Sequence, residues 1–129
     1  MKQVTFKEKY PIWTIEFKKD EIKQKSVSEI LEYFKTKIDA HPVATFIATF
    51  DHYTHTRSLS EHSINPDIKD IQNIIFCFGK EIPVSKVAAV RPRSIGVCEM
   101  PDSFIIEFME APNETANSFM EEWAKSLKV

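Results

Sequence analysis

The sequence predicts an α+β fold, in which a mostly antiparallel β-sheet has two amphipathic helices packed on one face as a two-layer sandwich. Apolar residues recur at helical spacing in two segments, and several other segments alternate apolar and polar residues as strands do. The predicted order is strand, helix, several strands and helix, which favours α+β over alternating βαβ folds. A chain of 129 residues has the length of one domain, residues 1–129.

The first predicted element is a strand over residues 10–17, whose side chains point alternately to two faces. One face has Trp13, Ile15 and Phe17. Ile12, Thr14 and Glu16 lie on the other face. The first set is apolar and is therefore expected to face the helices.

The first predicted helix spans residues 26–40. Ser26 followed by Glu29 fits a capping box, and His41-Pro42 is expected to end the helix, because the residue before proline avoids the α region. Its apolar stripe consists of Val27, Ile30, Leu31, Phe34 and Ile38. A stripe of this width must be covered by the sheet.

The second predicted helix spans residues 113–127, with Asn113 as its cap after Pro112. Its apolar face consists of Ala116, Phe119, Met120, Trp123 and Leu127. This helix is also one-sided and is expected to pack on the same sheet.

The remaining predicted strands lie between the helices. Residues 43–56 form a long strand candidate with Phe46, Ala48 and Phe50 on one face. Residues 71–78 are apolar on both faces, as in a central strand. Residues 86–90 are a short strand candidate, and residues 95–100 and 104–110 form a hairpin around Pro101-Asp102.

Composition excludes several classes of function. The chain has 17 Lys plus Arg and 19 Asp plus Glu, a net charge of −2, which gives no electrostatic argument for nucleic acid or acidic membranes. No apolar run approaches the roughly 20 residues of a membrane helix. Charges interrupt the first ten residues, so we expect no signal peptide, a cytoplasmic location and reduced thiols at the two cysteines.

The most pointed basic feature is Arg91-Pro92-Arg93, with Lys80 and Lys86 upstream. In an extended segment Arg91 and Arg93 share a face, and guanidinium groups match carboxylate or phosphate oxygens in bidentate geometry. These residues predict a site for a small anion. The alternative is that both arginines pair with the chain's own acids or are solvated.

A second polar cluster runs from Asp51 to Arg57 and contains His52, Tyr53 and His55. Imidazoles and a carboxylate suit a first-row metal, but His52 and His55 point to opposite faces of a regular strand. They converge only if the chain turns near Asp51. The alternative is a polar strand end that continues into a solvated loop.

Cys77 and Cys98 offer a different chemistry, because neighbouring strands can bring two cysteines close enough for a redox pair. A metal- or thiol-dependent enzyme using His52, His55 and Cys98 is therefore an alternative hypothesis. Burial as small apolar side chains is the other interpretation, since Phe76, Phe78 and Val97 are neighbours in sequence.

Two helices on one face leave the other face of the sheet open. Four apolar residues are expected there: Ile12, Ile47, Ile105 and Met109. An apolar open face is commonly closed by a partner, and a second copy is the simplest one. The sequence thus predicts a homodimer, and a purely structural assembly module is an alternative function.

Three stretches, FDHYTHT at 50–56, FCFGKEIP at 76–83 and RPRSIGV at 91–97, resemble a small bacterial family of unknown function. The resemblance continues through FMEAPN at 108–113 and MEEWAKSLK at 120–128, so it covers most of the chain from Val43 onward. It implies a free-standing cytosolic bacterial protein and no particular activity. A site shared by that family is expected at the histidines and Tyr53 of the first stretch, Arg57 just after it, and the arginines of the third.

Together these patterns predict a non-enzymatic homodimeric module that binds a small anionic ligand and needs no cofactor or metal. Arg91 and Arg93 are the expected anion ligands. Further donors are expected from His52, Tyr53, His55 and Arg57. Neither nucleic acid nor a membrane is an expected partner.

Overall fold

The structure, a computed structural model, describes residues 1–129 and has a six-stranded antiparallel sheet with four helices. It confirms the predicted α+β class and the antiparallel sheet. The strands are β1 (Lys2–Phe6), β2 (Tyr10–Lys18), β3 (Ala44–Phe50), β4 (Asp70–Phe78), β5 (Arg93–Glu99) and β6 (Ser103–Met109). The helices are α1 (Val27–Ala40), α2 (His52–Ser58), α3 (Val87–Val90) and α4 (Glu114–Lys125). The strand order across the sheet is β1-β2-β6-β5-β4-β3.

The two long helices begin where their caps predict. The Ser26 hydroxyl accepts a hydrogen bond from the Glu29 N–H at 3.1 Å, and the Glu29 carboxylate accepts from the Lys25 N–H at 2.6 Å. The Asn113 side chain caps α4 by accepting from the Ala116 N–H at 3.1 Å. These bonds satisfy backbone donors that a helix start leaves free.

One face of the sheet and the two long helices form the core. Nineteen buried apolar residues make up a single cluster, with contributions from α1, α4 and strands β2, β4, β5 and β6. Phe34 of α1, Phe76 of β4 and Phe104 of β6 are each 0% exposed. Full burial of one such side chain stabilises the fold by about 1.5–3 kcal/mol. The core therefore fixes how α1 and α4 lie against the strands.

The predicted strand over residues 43–56 is wrong in its second half. The strand ends at Phe50, and α2 begins at His52, because the Asp51 carboxylate caps it by accepting from the Thr54 N–H at 2.9 Å. A β-bulge between Phe46 and Ala48 also changes the faces. Phe46 lies opposite the core residue Phe76, whereas Phe50 lies on the other face, so the predicted common face of Phe46, Ala48 and Phe50 is wrong.

Three further elements differ from the prediction. Residues 87–90 form the short helix α3 instead of a strand, and α2 and α3 raise the helix count from the predicted two to four. Strand β1 was not expected, because all five of its residues are exposed and it has no buried alternation. It lies at one edge of the sheet and pairs with β2.

The opposite face of the sheet has apolar residues in register. Ile12 pairs with Met109, and Ile105 lies between Glu16 and Cys98. Ile47 is the extra residue at the bulge and is 50% exposed, so it has no strand partner on that face. None of the helices combines the length and the apolar character needed to cross a membrane.

Candidate functional site

A cavity of about 470 Å³ lies where three connections meet. They are the turn from α1 to β3, the connection from β4 to β5 that contains α3, and the turn from β6 into α4. Fifteen residues line it. The volume is in the range of cavities that hold small organic ligands.

Arg91 and Arg93 both line this cavity, and backbone carbonyls hold both guanidinium groups in place. Arg91 Nη1 donates to the Glu81 carbonyl at 2.5 Å, which closes the β4–β5 connection. Arg93 donates through Nη1 to the Val90 carbonyl at 3.2 Å and through Nη2 to the Met109 carbonyl of β6. The cationic groups are therefore positioned before any ligand arrives.

These bonds leave most guanidinium donors free. A guanidinium has five N–H groups, so Arg91 retains four (5 − 1) and Arg93 retains three (5 − 2). The Arg93 Nε atom is buried and has no hydrogen-bond partner. A buried donor without a partner costs free energy, which an acceptor in the cavity would recover.

Neither arginine has a carboxylate partner. The three ion pairs of the protein join Lys19 to Glu99, Lys35 to Asp39 and Lys128 to Glu21, all outside the cavity. Burial lowers the pKa of the Arg93 guanidinium, because desolvation disfavours the charged form. The alternative that these arginines pair with the chain's own acids is therefore not what the structure shows.

The charge of the lining is opposite in sign to that of the whole chain. Lys80, Arg91 and Arg93 supply three positive charges and Glu81 one negative charge, a balance of +2 (3 − 1) in a chain of net charge −2. A concave surface with one dominant sign concentrates ions of the other sign. The electrostatics of the cavity thus favour an anion.

His41 lines the same cavity, although its sequence position indicated only the end of α1. Its Nδ1 atom accepts hydrogen bonds from the Val43 and Ala44 N–H groups, each at 3.1 Å. The proton of the neutral ring is therefore on Nε2, which adds a polar N–H to the lining side chain.

An aromatic wall completes the cavity. The rings of Phe78 and Phe119 stack with centroids 6.2 Å apart and an interplanar angle of 20°, and the His41 ring meets Phe119 edge-on at 4.4 Å. Both phenylalanines are only partly buried at the edge of the core. Both rings line the cavity.

The first turn of α4 contributes main-chain donors at the cavity rim. Asn113 and Thr115 line the cavity, and the Glu114 and Thr115 N–H groups make no hydrogen bond within the protein. The Glu114 carboxylate lies in the same turn and opposes an anion there. The positive charge of the lining therefore comes from side chains rather than from this turn.

The other predicted ligand residues are not brought to this cavity. His52, Tyr53, His55 and Arg57 belong to α2, which follows Phe50 opposite Asn73. Arg93 lies opposite Phe76, three residues away along β4, so about 10 Å of strand separates the two places before α2 begins. The structure brings Arg91 and Arg93 together and leaves the α2 residues as a separate group.

Within that separate group, two histidines meet at one ring. The centroids of His52 and His55 lie 5.3 Å and 5.8 Å from that of Phe50. The turn at Asp51 therefore brings the two histidines close to each other, which is the condition under which the sequence predicts that they converge. No group of three or more His, Cys, Asp or Glu side chains has the geometry to hold a metal ion.

The cysteines do not form a redox pair. Cys98 lies opposite Ile71, which is six residues from Cys77 along β4, or about 20 Å of strand. Burial, together with the nearby Glu107, Asp70 and Glu99, raises the pKa of the Cys98 thiol to about 11. A thiol in this state is a poor nucleophile at neutral pH.

These observations define a small α+β protein with a cationic cavity beside a six-stranded antiparallel sheet. The chain belongs to DUF6858, a family of unknown function, whose family model matches residues 1–129. The predicted membership in a family of unknown function is confirmed, and the match extends through the whole chain rather than only from Val43. No curated protein and no solved structure matches the chain.

Proposed function

We propose that this protein is a non-enzymatic module that binds a small anion in the cavity between the β4–β5 connection and α4. The observation that carries this proposal is the pair Arg91 and Arg93, which line one cavity, are held by backbone carbonyls and have no carboxylate partner. Prepositioned guanidinium groups lose little conformational entropy on binding.

The arrangement supports binding better than catalysis. Rigid donors and an apolar wall can hold and orient an anion. No nucleophile with an adjacent general base lies among the lining residues, and the pKa of Cys98 is raised rather than lowered. The two unpaired cysteines fit a reducing compartment, which supports the cytoplasmic location that the sequence predicts.

The proposal is tested by thermal unfolding in chloride, acetate, phosphate and phenylacetate at equal ionic strength. We expect at least one anion to raise the unfolding midpoint of the natural protein by a few degrees, since a ligand at ten times its Kd adds about 1.4 kcal/mol. In Arg91→Gln the shift should disappear. This variant removes the charge but retains an N–H donor for the Glu81 carbonyl.

Lys86→Ala is the matched control, because Lys86 lies in the same connection, is exposed and does not line the cavity. It should retain the full shift. If every anion-induced shift survives in Arg91→Gln and in Arg93→Gln, the cavity is not the binding site and the proposal fails.

Self-association is a second candidate function. The open face of the sheet has Ile12, Ile105 and Met109 in register, and Met109 is 48% exposed. We propose that a second copy covers this face and gives a homodimer. Burial of these side chains between two copies supplies the free energy of association.

A further inference from the structure

We infer that the anion bound by this cavity is an organic carboxylate with a flat apolar body, of the arylcarboxylate class, rather than an inorganic anion. The inference rests on the proposed function and adds the class of ligand. It follows from the juxtaposition of the Arg91 and Arg93 guanidinium groups with the Phe78–Phe119 wall in one cavity.

The size of the cavity exceeds what an inorganic anion fills. A volume of about 470 Å³ is many times that of one water molecule, about 30 Å³ in the liquid. An inorganic anion bound to the arginines would leave the rest of the space as water against apolar side chains. A ligand with a body of about ten heavy atoms removes that contact.

Most of the apolar lining comes from three elements. α3 supplies Val87 and Val90, α4 supplies Ala116 and Phe119, and β4 supplies Phe78. Phe78 and Phe119 both line the cavity, with their rings stacked within 20° of parallel, so aromatic side chains are available there to a ligand. A planar ring packs against such surfaces in stacked or edge-on geometry.

The cationic part favours a planar head group. No glycine lines the cavity, so it lacks the glycine-rich loop of backbone N–H groups that commonly cradles phosphates. The anion must be held mainly by side chains, and the planar fork of a guanidinium matches the two oxygens of a carboxylate. Both properties point to a carboxylate on an aromatic body.

The test compares three probes by isothermal titration of the full chain: phenylacetate, acetate and phenylacetamide. Phenylacetate should bind at least tenfold more tightly than acetate, because its ring is buried against the wall. Phenylacetamide, which has the ring but no charge, should bind at least tenfold more weakly than phenylacetate.

A variant in α3 tests the contact with the apolar body of the ligand separately from the contact with its carboxylate. Val90→Ser should weaken phenylacetate at least threefold more than it weakens acetate, since Val90 lines the cavity and is already 38% exposed. Val84→Ser is the control, because Val84 is 57% exposed in the same connection and does not line the cavity. It should bind both anions as the natural protein does.

The outcomes distinguish the two proposals. If acetate binds in an Arg91-dependent manner and phenylacetate is no tighter, the ligand class is wrong and the anion site stands. If phenylacetamide binds as tightly as phenylacetate, charge is not recognised and both proposals fail. If neither carboxylate binds in an Arg91-dependent manner, the ligand class is wrong, and the anion site fails as well if chloride and phosphate give no Arg91-dependent thermal shift.

Discussion

Arg91 and Arg93 are two residues apart, yet each is fixed by a different part of the fold. Arg91 caps the end of α3 and bonds to the β4–β5 connection, whereas Arg93 is the first residue of β5 and bonds to the carbonyl of Met109 in β6. Main-chain acceptors stabilise a cation without neutralising its charge. Both guanidinium groups therefore retain N–H donors without a protein partner, although both side chains are partly buried.

Reactivity of Cys98 follows from its surroundings. Because burial and three nearby carboxylates raise the pKa of this thiol to about 11, only about one molecule in a thousand has a thiolate at pH 8. We expect iodoacetamide to label Cys98 in the folded protein far more slowly than in the denatured chain, with a rate that rises about tenfold per pH unit between 8 and 10. Peptide mapping by mass spectrometry measures this rate.

The control for this labelling is Cys77→Ser, which leaves Cys98 as the single thiol. Labelling of the folded variant at pH 8 as fast as of the denatured chain would contradict the raised pKa.

Because of Asp70, the stability of the fold against urea is expected to depend on pH. Burial raises the pKa of its carboxyl above the usual value of 3.8, and the nearby charges of Asp51 and Glu99 act in the same direction, against the hydrogen bonds from Gln72 and the backbone. A folded-state pKa above the unfolded one means that ionisation destabilises the folded state. Asp70→Asn should therefore raise the urea midpoint at pH 7 and have a smaller effect at pH 3, where the carboxyl is protonated.

The amide of that variant still accepts the hydrogen bond that Gln72 donates to Asp70 at 3.1 Å. A gain in midpoint that is equal at both pH values would show that charge is not its cause.

At the scale of elements, the sequence predicts the helices and strands that pack in the core and does not predict the exposed ones. α1, α4, β2, β4 and the β5–β6 hairpin have apolar patterns, and each lies within a few residues of its predicted bounds. β1 and α2 have no buried residue, so periodicity contains no signal for them. The local signal for α2 was Asp51, whose side chain caps the helix in place of a continued strand.

The cavity was predictable only in part, for a related reason. Two arginines at alternate positions indicated an anion site from sequence alone. His41 and Phe119, by contrast, lie about 50 residues before Arg91 and almost 30 after it, and only the packed fold brings them to the same cavity. The residues of α2 looked equally suited to a ligand, but the end of β3 directs them elsewhere. Tertiary contacts, not local chemistry, decide which polar residues meet.

The cap of α1 gives a prediction at the element scale. Ser26→Ala removes the acceptor of the Glu29 N–H and should lower the free energy of unfolding by about 1 kcal/mol in urea denaturation. Ser28→Ala is the matched control, since Ser28 is exposed in the first turn of the same helix and makes no side-chain hydrogen bond. Its effect should stay within about 0.5 kcal/mol. Equal losses in the two variants would argue against a capping role.

At the scale of the whole molecule, the two faces of the sheet differ. One is covered by α1 and α4 and holds the core, whereas the other has Ile12, Ile105 and Met109 in register, together with Glu16 and Glu107. The cavity lies beside the covered face, because Arg93 shares the orientation of Phe76. The proposed anion site and the proposed pairing surface are therefore separate, and the two proposals are compatible.

Light scattering during size-exclusion chromatography tests the homodimer. We expect a mass near 30 kDa, twice the 15.0 kDa of one chain, and a mass near 15 kDa for Met109→Lys, because a charge on the open face opposes burial. Ile82→Lys is the control, since Ile82 is 83% exposed in the β4–β5 connection. A monomeric natural protein at high concentration would contradict the proposed interface.

The most direct test of the anion site uses the arginine side chains themselves. The chain has three arginines, Arg57, Arg91 and Arg93, so a ¹⁵N spectrum of the Nε–H groups contains three assignable signals. We expect titration with sodium acetate or sodium phenylacetate, at fixed ionic strength, to shift the Arg91 and Arg93 signals saturably. The Arg57 signal, from α2, should stay in place. Shifts of equal size at all three arginines, or none at Arg91 and Arg93 with either carboxylate or with phosphate, would contradict an anion site in this cavity.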